Sequence, residues 1–124
     1  MSMFRDMSDP EKALVLLALD VQLTAIMETR VKLRERRNNQ ILSSQEDFEV
    51  ETALLRLDQM ASDIVSYKNA LLSCSDDLQP PSATDLEAMR GRVQRIRDIN
   101  VANNTTSAII TISTEVIGSI PKIG

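Results

Sequence analysis

The 124-residue sequence predicts an all-α fold, an antiparallel three-helix bundle of long heptad-patterned helices forming one domain over residues 1–124. Three observations predict it. Only three glycines and four prolines punctuate the chain, too few for the tight turns that sheets require. Hydrophobic residues make up 43% but aromatics only 2%, namely Phe4, Phe48 and Tyr67, so the core must be aliphatic. Apolar residues recur at spacings of three and four over long stretches, the period of an amphipathic helix.

Helix 1 is expected over about 9–38. Ser8 or Asp9 supplies an N-cap, Pro10 opens the helix and Glu11 sits in the first turn, where the helix dipole favours an anion. Leu16, Leu19, Leu23, Ile26, Arg30, Leu33 and Arg37 recur as one stripe, with Leu14, Ala18, Val21 and Ala25 beside it. Two stripes imply two packing neighbours. Asn38 and Asn39 end the helix.

Helix 2 is expected over about 44–74, with Ser43 or Ser44 and Glu46 or Asp47 forming a capping box. Val50, Leu54, Leu57, Ala61, Ile64, Lys68 and Leu71 make one seam; Ala53, Leu57, Met60, Ile64, Tyr67, Leu71 and Cys74 make a second. Two adjoining seams place this helix in the middle of the bundle. Residues 76–82, with Pro80 and Pro81, form a connection.

Helix 3 is expected over about 84–120, capped by Ser82 or Thr84 and carrying Leu86, Met89, Val93, Ile96 and Ile99 at helical spacing. Beyond Asn100 the composition turns to Ile, Val, Thr, Ser and Asn, which also admits a strand. Helix is preferred because a lone strand would have no partner. Such a helix is ~54 Å long against ~40 Å for the others at 1.5 Å per residue. Either helices 1 and 2 are longer than this, or its C-terminal part kinks near Asn103 and Asn104, folds back, or packs against a second chain.

Charge supports short antiparallel connections. Residues 1–40 carry seven positive and six negative charges, 41–77 two and eight, and 78–124 five and four. The acidic start of helix 2 (Glu46, Asp47, Glu49, Glu51) then lies beside the basic end of helix 1 (Arg30, Lys32, Arg34, Arg36, Arg37), and Asp63 lies level with Arg90 to Arg97.

The same residues narrow the chemistry. Histidine is absent, which removes Ser-His and Cys-His nucleophile pairs and His-containing metal sites. Gly91, Gly118 and Gly124 are too scattered for a phosphate-cradling loop. The paired carboxylates Asp76-Asp77 and Glu46-Asp47 sit at helix ends, where solvated acids are common. Cys74, the only cysteine, reads as a small hydrophobe on a seam, with no role assigned. Asn103 and Asn104 head Asn-x-Thr sequons, but the first ten residues offer no apolar core long enough for a signal peptide, so none is expected, and no apolar run is long enough to span a membrane. A cytoplasmic protein is the expectation.

No enzymatic activity and no cofactor are expected. The leading expectation is a helical protein-protein interaction module, meaning an adaptor, assembly subunit or small chaperone. It acts as a homo-oligomer or on a helical partner. The expected contact face is the apolar C-terminal surface of Ile109, Ile110, Ile112, Val116, Ile117 and Ile120. The alternative is binding of nucleic acid or an anionic surface through Arg90, Arg92, Arg95 and Arg97. The net charge of −4 and the absence of interleaved aromatics weigh against it.

Overall fold

The computed structural model describes residues 4–73, 79–101 and 103–117, with side chains in the last segment as far as residue 112. The described residues form four α-helices and no strand. A 3₁₀ turn, Phe4–Asp6, precedes α1 (Asp9–Asn39), α2 (Ser44–Leu72), α3 (Ala83–Arg97) and α4 (Thr106–Ile117). Three helix starts are built alike, because each carries a serine three residues before an acid. Ser8 with Glu11, Ser43 with Glu46 and Ser82 with Asp85 form reciprocal capping boxes that satisfy two otherwise orphaned N–H groups each. At the first, hydrogen bonds from the Ser8 side chain and backbone hold the Glu11 carboxyl below its ordinary pKa.

The single helix expected over 84–120 is two helices. After Arg97 the chain tightens through hydrogen bonds from Asp98 N–H to Gln94 O and from Ile99 N–H to Ile96 O, then turns at Asn100, whose carbonyl accepts from Asn103 and Asn104 N–H. The Asn104 side chain donates to the same carbonyl. Asn and Thr side chains compete for backbone partners in this way, which is why they stop helices. Thr105 Oγ1 then accepts from Ala108 N–H and restarts the helix as α4. The ambiguous segment is therefore helical over 106–117 and reversed in direction.

Lengths explain the arrangement. At 1.5 Å per residue α1 is ~46 Å long, whereas the 15-residue α3 and 12-residue α4 together give ~40 Å. Leu86 near Leu14 and Lys32 Nζ on Ile96 O show α3 running parallel to α1 along its lower half. Arg36 Nε on Thr106 Oγ1, Ser107 Oγ on Glu49 Oε2, and Ile110 beside Ala53 show α4 descending with α2 from the upper end. Helix α1 thus lies against α2, α3 and α4, and α4 in turn against the other three, whereas α2 packs mainly on α1 and α4. That corrects the central position expected for helix 2, whose two seams are used by α1 and by the folded-back α4.

The core phase of α1 also differs from the expected stripe. Val15, Leu19, Gln22, Ile26, Thr29 and Leu33 are buried at spacings of four and three, whereas Leu16, Leu23 and Arg30 are only partly buried. Two polar residues hold core positions, so a phase judged from hydrophobicity slips by one residue. Thr29 Oγ1 donates back to Ala25 O. Both Gln22 amide atoms lack any hydrogen-bond partner among the described residues. On α2 the buried set Val50, Ala53, Leu54, Leu57, Ile64, Tyr67 and Leu71 falls on the expected seams. Cys74 lies outside the described residues.

Ion pairs set the α1–α2 register as the charge pattern implied. Arg37 reaches Asp47 at 2.9 Å and Glu51 at 2.7 Å, Arg30 reaches Asp58 at 3.0 Å, and Lys68 reaches Asp20 at 2.7 Å. These two carboxylates raise the Arg37 pKa, hydrogen bonding to Asp47 most. Asp63 does lie at the height of the arginines of α3, as the pairs Arg30–Asp58, Lys68–Asp20 and Arg97–Glu28 place it, but among the described residues it accepts from Gln59, while Arg97 points toward Glu28 at 4.0 Å and Arg90 toward Glu87 at 3.7 Å. The reason is that α3 packs beside α1.

Candidate functional site

The residues expected to bind a partner fall in different environments. Ile109 is fully buried in the chain's own core, and Ile110 and Ile112 pack partly buried against it. Val116 and Ile117 lie in α4 with side chains outside the described set, and Ile120 lies outside the described residues altogether. Folding back has therefore covered the described part of the apolar overhang from within the chain. The upper corner is clamped by α1: Arg36 Nη1 donates to Val101 O at 2.6 Å and its Nε to buried Thr106, while Lys32 Nζ donates to Ile96 O at 3.0 Å. Lys32 meets a carbonyl in the last turn of α3, where the helix dipole favours positive charge, while Arg36 ties the turn at Val101 to the start of α4.

The four arginines of α3 do not form one patch. At 100° per residue Arg90 and Arg97 share a face, while Arg92 and Arg95 lie more than a quarter turn away. Arg90 and Arg97 edge a groove between α1 and α3. Arg92 is partly buried, and its Nη1 has no hydrogen-bond partner among the described residues. Arg95 is exposed. Four-fold phosphate contact from this helix would need all of them on one side.

The α1–α3 groove has a volume of about 270 Å³ and a largely apolar lining: Leu14, Leu17, Ala18 and Val21 from α1, Leu86, Met89 and Val93 from α3, with Arg90, Gln94 and Arg97 along the edge. Its α1 wall continues as an exposed stripe. Leu14 is 58% exposed, Leu17 59%, Met27 45% and Val31 53%. Large apolar side chains this open are ordinary when scattered, but four on one side of one helix beside an apolar groove make a patch. Sequence reasoning counted Leu14 and Val21 as a second packing stripe. Its continuation, with Leu14, Leu17, Val21, Thr24, Glu28, Val31 and Glu35 at spacings of three and four, is the signal that marks the outer face. A smaller groove of about 220 Å³ lies between α2 and α4, with exposed Phe48 at its lip and Ile110 at its side.

Among the described residues no group of three or more His, Cys, Asp and Glu is placed to hold a metal, and no helix is long and apolar enough to cross a membrane. Tyr67, its side chain near Asp85, donates to Gln79 O, tying α2 to the approach to α3; burial first and Asp85 second raise its pKa. No protein-family model, curated protein or solved structure matches this chain.

Proposed function

We propose that this protein is a non-enzymatic helical interaction module, and that its contact surface is the outer face of α1 with the adjoining α1–α3 groove. The observation that carries this reading is the exposure of Leu14, Leu17, Met27 and Val31 beside an apolar groove. Leaving such side chains in water forgoes roughly 25 cal/mol per Å² of apolar surface, and a partner helix laid along the groove would recover it. Recognition of this kind works through shape and heptad spacing and needs no nucleophile, metal or cofactor, in keeping with the residue types present. Adaptor, assembly subunit and small chaperone are the roles such a face would serve.

Site-specific photo-crosslinking tests the reading. A photoreactive residue at Leu17 is expected to give a discrete adduct in the cells that make the protein, identified by mass spectrometry, while one at exposed Gln59 on α2 gives none. Equal, diffuse labelling at both positions, or no adduct at Leu17, would remove it.

A further inference from the structure

We infer that the occupant of this face is a second copy of the same chain, its α1 crossing the first in the antiparallel sense. The inference rests on the interaction-module reading and adds the partner's identity.

The spacing of the exposed side chains is the first reason. Leu14 and Val31 stand at equal distances from a point between Gln22 and Leu23, and Leu17 and Met27 are centred on Gln22. The stripe therefore reads nearly the same in both directions. An antiparallel copy lays its Met27 and Val31 over Leu17 and Leu14, and by symmetry receives the same contact in return. A contact of this kind closes on itself as a two-fold dimer and leaves no unfilled copy of the patch. From Leu14 to Val31 the stripe also drifts around α1 by ~100° at 100° per residue, so the two helices cross obliquely, as ridges packed into grooves do.

Charge is the second reason. The groove edge offers Arg90 and Arg97 and no acid, and the antiparallel register brings the copy's Glu28 over Leu17, on the stretch of α1 that faces Arg90 across the groove. One face thus carries both signs, the arrangement a self-complementary contact needs. Glu28, which falls within the stripe, already has Arg97 at 4.0 Å, so covering it does not strand a lone charge. Area is the third. The face from Leu14 to Val31 is ~26 Å long, and α1 with α3 is ~20 Å wide. That gives ~510 Å² per copy and ~1,000 Å² for the pair, the lower limit for a specific interface.

The test uses the full chain. Light scattering over a wide concentration range is expected to approach twice the 13.8 kDa chain mass. Leu17→Arg and Val31→Arg, both at exposed positions, are expected to weaken self-association by about tenfold or more with the helical circular dichroism unchanged. Geometry is read by disulfide formation in a Cys74→Ser background. A Leu14→Cys pool mixed with a Val31→Cys pool should cross-link, while neither pool cross-links alone. Single-chain mass at every concentration overturns the inference, as does each pool cross-linking to itself. Single-chain mass with a Leu17 photo-adduct to a different polypeptide overturns self-pairing and leaves the interaction module standing; single-chain mass with no adduct removes both.

Discussion

Replacing Gln22 by methionine should make this protein more stable. Gln22 is fully buried in the α1 seam, four residues before Ile26 and three after Leu19, and neither amide atom has a hydrogen-bond partner among the described residues. A buried amide without partners costs about 1–3 kcal/mol relative to one that is satisfied. Methionine keeps the length and nearly the volume of glutamine, so no cavity or clash offsets the gain. The expected net stabilisation is about 2 kcal/mol. With an unfolding entropy of ~2.1 cal/mol/K per residue over 124 residues, that corresponds to a rise in Tm of roughly 7–8 °C. Urea unfolding followed at 222 nm should show the midpoint moving up by about 1 M with the slope unchanged. A midpoint lowered by the substitution would refute the reasoning, because it would mean that the amide is satisfied in solution and that the seam is built around it.

Other perturbations have directions set by the same geometry. Arg36→Met removes the donors to Val101 O and Thr106 and leaves a carbonyl unsatisfied, so it should lower stability by about 1–3 kcal/mol and speed hydrogen exchange in α4 before α1; uniform exchange across all helices would count against a clamp. Gly91→Ala should raise stability by about 0.5–1 kcal/mol in thermal melts, since an added Cβ meets nothing within 4 Å and glycine is the costlier residue inside a helix. Tyr67 has its pKa raised in the folded state, so its contribution is complete below the unfolded value near 10 and is lost as pH rises from about 10 through the folded value. Wild type should therefore weaken over that window in urea titrations while Tyr67→Phe does so less; identical slopes would exclude Tyr67 as the source.

What could be read from residues alone follows the range of the forces involved. The capping boxes at Ser8, Ser43 and Ser82 are local, three residues from donor to acceptor, and the helix starts follow from them directly. The pairing of Arg37 with Asp47 spans ten residues of a short connection and was legible in the charge pattern. The phase of α1 was legible in part: Leu19, Ile26 and Leu33 of the expected stripe are buried, but Gln22 and Thr29 hold core positions beside them while Leu23 and Arg30 are only partly buried. The corner at Asp98 to Thr105 was legible only as one option among several, a kink near Asn103 and Asn104 or a fold-back, because what holds it is Lys32 and Arg36 from more than sixty residues away. The broad apolar surface around Ile109 was recognised as needing cover. Which surface would cover it depended on that distant clamp, and Leu14 and Leu17 stay exposed beside α3 because they lie on the flank of α1 turned away from the buried stripe of Val15, Leu19, Gln22 and Ile26.

The reversal at Asn100 also sets an order of events during synthesis. Helices α1 and α2 can pair as a hairpin as soon as both are made, through neighbours close along the chain, and α3 can then dock on the lower half. The level of Glu49 and Ala53 on α2 still lacks its lid, because the segment that supplies Ser107 and Ile110 is translated after the other three helices. Until it arrives, a nascent chain displays an aliphatic cleft at the upper end of a long hairpin, the kind of transient surface that invites misassembly. Folding yield in the cell should thus depend on α4 more than its dozen residues suggest, and a released chain truncated before Thr106 would present a chaperone with a cleft that the full chain closes.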